Sequence, residues 1–214
     1  MGTISFLLNG CNFYRGFRQI EGEVLLNGRR VSSEQMKGPE GVSVPSDASI
    51  STCAQASAVF VIGKDAFLMR ENSQVELNPN LIDRKKREIS GFNLRSGAIL
   101  SVFARNKRTL RTPSALIGIR GTGVYIETDS DKTYVCTCYG TSYMQVIDSP
   151  EINETVTTLY HDQPRSIYSR EKRIDHAPVI NHSDQELILL ERLVGRVPPF
   201  VKQERDEGRE SNGY

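Results

Sequence analysis

From about Gly16 to Met144 apolar and polar residues alternate with a period of two, and a turn signal interrupts the alternation about every 8–12 residues. Successive side chains of a strand point to opposite faces, so this pattern commits the region to half-buried β-strands. Phe17 to Leu26 runs up to Asn27-Gly28, a pair suited to a tight hairpin turn, and Val31 resumes beyond it. Ala56 to Ile62 turns at Gly63-Lys64-Asp65 into Ala66 to Met69, and Val75 to Leu77 stops at Asn78-Pro79-Asn80. Phe92 to Leu94 leads through Ser96-Gly97 into Ala98 to Ala104, after which Asn106-Lys107-Arg108 reads as a turn. Ala115 to Ile119 and Val124 to Ile126 flank a Gly-rich kink, and Asp129-Ser130-Asp131 turns into Thr133 to Tyr139. About nine short strands without a long helical pattern predict a mainly β domain, sandwich or solenoid-like, over residues 16–146.

Beyond Asp148-Ser149-Pro150 the alternation fades. Residues 151–182 carry all three histidines and two prolines, Pro164 and Pro178, and read as an irregular segment within a C-terminal part spanning 147–201. Ser183-Asp184-Gln185-Glu186 has the form of a capping box, and an apolar stripe follows at Leu187, Leu190, Leu193 and Val194. One helix over 184–194 is therefore expected, stopped by Gly195 and barred from continuing by Pro198-Pro199. Such a helix needs a surface, and a face of the β domain is the one at hand. The polar stretch 202–214 reads as a disordered tail.

Charge narrows the function classes. Lys and Arg number 27 against 26 Asp and Glu, a net charge of +1, which gives no one-sided field for a phosphate backbone. The basic run Arg84-Lys85-Lys86-Arg87 follows a turn and reads as a solvated loop, so no nucleic-acid partner is expected. No apolar stretch reaches the ~18 residues of a transmembrane helix. Residues 1–15 hold the short run Ile4-Ser5-Phe6-Leu7-Leu8 before Asn9-Gly10-Cys11, either the remnant of an export signal with a lipid-attachment outline at Cys11 or an apolar lead-in to the first strand.

The stretch from Thr112-Pro113-Ser114-Ala115 to Arg120-Gly121-Thr122-Gly123-Val124-Tyr125-Ile126 resembles the most recognisable segment of the FecR family. There a Thr-Pro opens a strand and a Gly-Thr pair precedes an aromatic strand. Val59 to Gly63 with Phe67 to Arg70, Ser73 to Leu77, Leu94 to Leu100 and Val135 to Gly140 resemble further family segments in the same order, over about residues 42–146. The resemblance implies a β-rich module of the bacterial cell envelope, periplasmic or envelope-associated, that binds another envelope protein and catalyses nothing. Family members that regulate sigma factors add a cytoplasmic helical domain and a membrane helix. Neither is visible here, so the anti-sigma role does not carry over. Read without the family, Pro113 holds Thr112 extended, and Gly121 and Gly123 around Thr122 allow a bulge or a positive φ. Arg120-Gly121-Thr122-Gly123 is not a nucleotide loop, because no helix follows it.

One pattern points to chemistry. In Cys136-Thr137-Cys138 on a strand, the two sulfurs share a face, and Tyr134 shares it with them. His161 and His182 could add two imidazoles, making a Cys₂His₂ site for zinc or iron, although Cys-x-Cys is tighter than the usual ligand spacing. The alternatives are that both cysteines pack as small apolar residues or form a disulfide. His176 beside Ala177-Pro178 reads as a surface loop residue. Cys136 or Cys138 with His161 and Asp162 contains the residue types of a thiol hydrolase, but nothing local positions them, and a non-enzymatic role is expected. Asp129 and Asp131 belong to turn formation.

Overall fold

The computed structural model describes residues 15–37, 41–77, 82–83, 88–89 and 91–201. The expectations for the N-terminal lead-in up to residue 14 with Cys11, for the basic run 84–87 and for the tail 202–214 lie outside these residues. The elements are β1 Arg15–Glu21, β2 Val24–Leu26, β3 Arg29–Arg30, α1 Ser33–Lys37, β4 Ser49–Thr52, β5 Ser57–Ile62, β6 Asp65–Met69, β7 Gln74–Leu77, β8 Ile82–Asp83 and β9 Glu88–Ile89. They continue with β10 Gly91–Val102, β11 Lys107–Arg111, β12 Ala115–Thr128, β13 Lys132–Val146, β14 Ser149–Thr158, β15 Arg165–Tyr168, β16 Arg173–His176 and α2 Asp184–Leu193. The protein is mainly β, built on one large mixed sheet that does not close into a barrel. Its main path runs β16-β15-β13-β12-β11-β10-β7-β4-β2-β3, with β14 on β13 and the β5–β6 hairpin joining β1 to β10.

Local chemistry sets the turns. Asn27 (φ 52°) and Gly28 (φ 74°) both take left-handed backbone, the requirement of a two-residue hairpin, and join β2 to β3. The run Phe17 to Leu26 is split at Gly22, so β1 pairs with β5 while β2 pairs with β4. At the opening of β12 the Thr112 hydroxyl accepts the Ala115 N–H at 2.9 Å. The same hydroxyl lies 2.7 Å from Thr133 Oγ1, which also touches Ser114 Oγ at 2.5 Å and Thr128 Oγ1 at 2.8 Å. Thr112 thus closes a turn and anchors it to β13. Pro113 is exposed in that turn. Further along, β12 shifts register against β13 between Arg120 and Gly123 and again before Val124. Arg120 points to solvent there, Gly121 has φ +60°, and the buried Thr122 hydroxyl donates to Thr141 O at 3.0 Å.

The central strands bury both faces. On β5, β6 and β10 the residues Phe60, Phe67 and Ile99 belong to an inner core, while Val59, Leu68 and Leu100 belong to an outer one. Two covered faces explain why Ala58 to Ile62 is a continuous apolar run and Ala98 to Val102 is broken only by the buried Ser101. The inner core is aromatic at its centre, with Phe60 stacked on Phe67 at 4.8 Å and Phe92 and Phe103 edge-on to Phe67. The outer core gathers side chains of β5, β6, β10, β12 and β13 under Leu187, Leu190 and Phe200 of the C-terminal segment.

Two expectations are corrected. The stretch 151–182 is not irregular: it supplies β14, β15 and β16 to the main sheet. The signal is weak because every second residue of β14 faces solvent and the inward positions from Ile152 to Thr158 include Glu154 and Thr158, which break the apolar alternation. Lys107 and Arg108 do not form a turn but open β11, where the buried Arg108 guanidinium meets the buried Asp65 carboxylate at 2.9 Å. A charged residue looked like a turn residue because its partner lies 43 positions away. The C-terminal helix forms where its capping box places it, with Glu186 reaching back to accept the Ser183 N–H at 2.9 Å and Gly195 at φ +71° just past its end.

Candidate metal centre

β13 presents Cys136 and Cys138 two residues apart on the outer face, where both are fully buried. Tyr134 lies on the same face and donates its hydroxyl to Pro178 O at 2.8 Å. His161 follows β14 in a tight turn with φ 43°, and its backbone N–H donates to Cys138 O at 3.1 Å. That bond holds the first imidazole against the cysteine strand. His182 comes from the segment leading into α2, directly after Asn181 at φ 56°, and its ring stacks on Tyr125 with centroids 4.8 Å apart.

The structure brings the four side chains together. The donor atoms of Cys136, Cys138, His161 and His182 all lie within 4.8 Å of one another. Cys136 Sγ is 3.5 Å from His161 Nδ1, and His161 Nδ1 is 3.0 Å from His182 Nε2. A tetrahedral zinc ion with two sulfur and two nitrogen ligands sets donor-to-donor distances of roughly 3.3–3.8 Å. The set fits once the widest separation, 4.8 Å, closes by about 1 Å and the 3.0 Å nitrogen pair opens slightly.

The outer nitrogens of both rings are committed. His161 Nε2 lies 3.1 Å from Asp184 Oδ1, whose other oxygen accepts the Tyr160 hydroxyl at 2.7 Å. His182 Nδ1 lies 2.6 Å from Ile180 O. A carbonyl and a carboxylate only accept, so each outer nitrogen carries the proton. In neutral rings the inner nitrogens, 3.0 Å apart, then direct two lone pairs at the same space as two sulfurs. A metal ion in that space resolves the repulsion, as does a proton on the inner nitrogen of His161, whose pKa is raised. Carboxylate and carbonyl partners behind the imidazoles are the usual support of metal-bound histidines.

Electrostatics point the same way. The Cys136 thiol is held down to about 4, first by the adjacent Cys138 thiol and then by His161 and His182, against its burial. Burial pushes Cys138 up, and the Cys136 sulfur beside it pushes in the same direction. Burial opposes the charged form of His161, but Cys136 and Asp184 outweigh it and raise the ring's pKa. Two buried sulfurs therefore cannot both ionise easily unless a cation balances them.

Other candidate roles separate from this cluster. Cys136, His161 and Asp184 stand in the order of a nucleophile, a base and an orienting carboxylate, but the sulfur is buried and a second thiol and a second imidazole fill the space a substrate needs. Asp162, weighed for that role and set aside in the sequence, accepts the Thr158 hydroxyl. His176 lies on β16 rather than in a loop, with Nδ1 3.1 Å from Arg165 Nη1. Thr112, Pro113, Arg120, Gly121, Thr122 and Gly123 sit in the turn and bulge of β12 and build the strand. Asp129 accepts the N–H groups of Asp131 and Lys132 at 2.8 Å and closes their turn. Sequence reasoning missed Asp184, Tyr160 and Tyr125 as supports of the imidazoles. The closeness of Asp184 to His182 at a helix start was the available signal.

No family model matches this chain, and no curated protein matches it. Among solved structures, two crystal structures of a candidate anti-sigma factor from Parabacteroides distasonis resemble it, at 12% identity with TM-scores of 0.49 and 0.48. Each match takes in 65% of this chain and 62% of that one, so this chain spans less than two thirds of the length of that protein. The likeness is distant, and no functional residue is carried across from it. Among the described residues no helix is long and apolar enough to cross a membrane.

Proposed function

We propose that the chain is a non-catalytic β module whose C-terminal segment is fixed to its sheet by a zinc ion bound by Cys136, Cys138, His161 and His182. The observation that carries this reading is the pair of inner imidazole nitrogens 3.0 Å apart, each ring bonded on its far side to an acceptor and both facing the buried sulfurs. Four protein donors complete a tetrahedral shell and leave no open position for water or substrate, the arrangement of structural rather than catalytic zinc. Zinc suits a closed tetrahedral set of two thiolates and two imidazoles, and iron, which the same donor types also suit, is the alternative ion.

Elemental analysis of the purified protein tests the reading, with Cys136→Ser and Cys138→Ser variants alongside. One equivalent of zinc, lost in both variants, is the expected result. Metal-free protein that takes up no added zinc would sink it, and iron in place of zinc would replace the ion but keep the site.

A second element of function concerns what the module does. We infer that it acts by binding another protein of the bacterial envelope, as its resemblance to the FecR family implies. Co-purification of one envelope protein from cell-envelope extract, repeated with the chain in excess, tests this part; a chain recovered alone from such extracts refutes it.

A further inference from the structure

Residues 178–201 cover the outer core, and their attachment differs from that of every strand. Among the described residues no backbone-to-backbone hydrogen bond joins them to the sheet; the adjoining bond is that of Ala177 N–H to Pro164 O. They are held instead by side chains. Arg70 reaches Glu186 at 2.7 Å and Asn181 O at 2.8 Å, Tyr139 bonds Glu191, and Arg196 reaches Lys64 O at 2.5 Å. The Arg70–Glu186 pair is about a quarter to a third exposed, at 30% and 26%, and such pairs are worth little. The helix in this segment, α2, has ten residues, too few to persist in water without a surface. Along one side a cleft of about 590 Å³, lined by Arg70, Tyr125, Glu127 and Asn181, admits water to the seam.

The metal centre sits at the start of the same segment. Three of its donors belong to the sheet and the turn bonded to it, Cys136, Cys138 and His161. The fourth, His182, lies in the covering segment, two residues before the first residue of α2. Asp184 adds a second tie, since that first residue is also the carboxylate behind His161. Coordination therefore joins the covering segment to the sheet at the one place where both contribute ligands. Structural zinc contributes more than exposed ion pairs do, and it adds to the burial of Leu187, Leu190 and Phe200 that seats the segment.

We infer that the metal centre, on the reading above, is the clasp of a movable arm: residues 178–201 close over the outer face while the ion joins His182 to Cys136, Cys138 and His161, and they open when it is withdrawn. The sheet keeps its own hydrogen bonds and its inner core in both states. Opening uncovers Leu68, Leu100 and Tyr125, so the state of the metal decides whether this apolar surface is presented.

Hydrogen exchange on the full chain tests the clasp, with zinc content measured on the same samples: zinc-loaded, stripped by a chelator, and reloaded. The expected result is that the α2 amides lose protection by about tenfold or more on stripping, recover on reloading, and leave β10 and β12 unchanged. His182→Ala, which alters the arm and not the sheet, should show the open pattern even with zinc present. If zinc binds but stripping leaves α2 protected, the clasp is overturned and the metal site stands. Protection lost throughout β10, β12 and α2 together overturns the clasp as well, because the ion then holds the whole fold. If no sample takes up zinc, the metal site and the clasp fall together.

Discussion

Asp184 Oδ1 lies 3.1 Å from His161 Nε2, and Asp184 is also the residue on which helix α2 begins. One carboxylate thus fixes the orientation of an imidazole and the entry of a helix. It receives the Tyr160 hydroxyl on its other oxygen, so both oxygens are used.

Asp184→Ala should lower zinc affinity by about 10–100-fold, because the imidazole loses the acceptor that sets its tautomer. Competition with a chromophoric chelator measures it. Asp184→Asn, whose amide oxygen still accepts the Nε2–H, should fall between the two. Equal affinities in all three proteins would show that Asp184 serves only the helix.

The Glu154 carboxylate lies against the buried Arg165 guanidinium at 2.6 Å and ties β14 to β15. Its hydrogen bond to Arg165 outweighs burial and holds Glu154 below its ordinary value of 4.5. A carboxyl whose folded value is depressed stabilises the fold above the unfolded carboxylate range and loses that contribution as pH falls through the folded value. Glu154→Gln should therefore cost about 0.5–1 kcal/mol at neutral pH, after discounting for its partial exposure, and progressively less below pH 4.5. Urea unfolding of both proteins across that range checks it, and a cost independent of pH contradicts it.

Arg108 and Asp65 form an ion pair that is 3% and 0% exposed, and Asp65 also accepts the Ala104 N–H at 2.9 Å. Burial pushes the Asp65 carboxyl up, and Arg108 is the main influence opposing it. Arg108→Ala strands that carboxyl in the core and should cost about 3–5 kcal/mol in chemical denaturation. A loss below about 1 kcal/mol would mean that water reaches Asp65.

Gly97 turns β10 between its pairing with β7 and its pairing with β12, at φ +80°. A Cβ there would lie 2.5 Å from Ser73 Cα and 2.3 Å from Ser73 Oγ, the hydroxyl that accepts the Ala98 N–H. Gly97→Ala should cost about 3 kcal/mol or more, from backbone strain and overpacking together. Thermal unfolding reads this directly, and a near-native melting temperature would contradict the close approach.

The sequence is readable where a local rule decides the outcome. Asn27-Gly28 specifies its turn, the capping box from Ser183 to Glu186 starts its helix, and an i, i+2 spacing puts Cys136 and Cys138 on one face of a strand. It is opaque where distant residues decide. Arg108 can sit buried in β11 because Asp65 neutralises it, and β14 is paired along β13 although Glu154 and Thr158 interrupt its inward apolar face. The meeting of His161 with His182 depends on the return of β14 along β13 and on the landing of α2, neither of which has a local signature. The Asp184 carboxylate reads as an ordinary helix-start residue until the tertiary path brings it behind His161.

Burial on both faces of β5, β6 and β10 also sets an order of events during synthesis. The ribosome delivers these strands before it delivers α2, so the nascent sheet exists for a time with Val59, Leu68 and Leu100 exposed to other chains. Cellular yield should then depend on how quickly the last-made helix arrives, and a translational pause between β16 and α2 would lengthen the interval in which nascent molecules can aggregate.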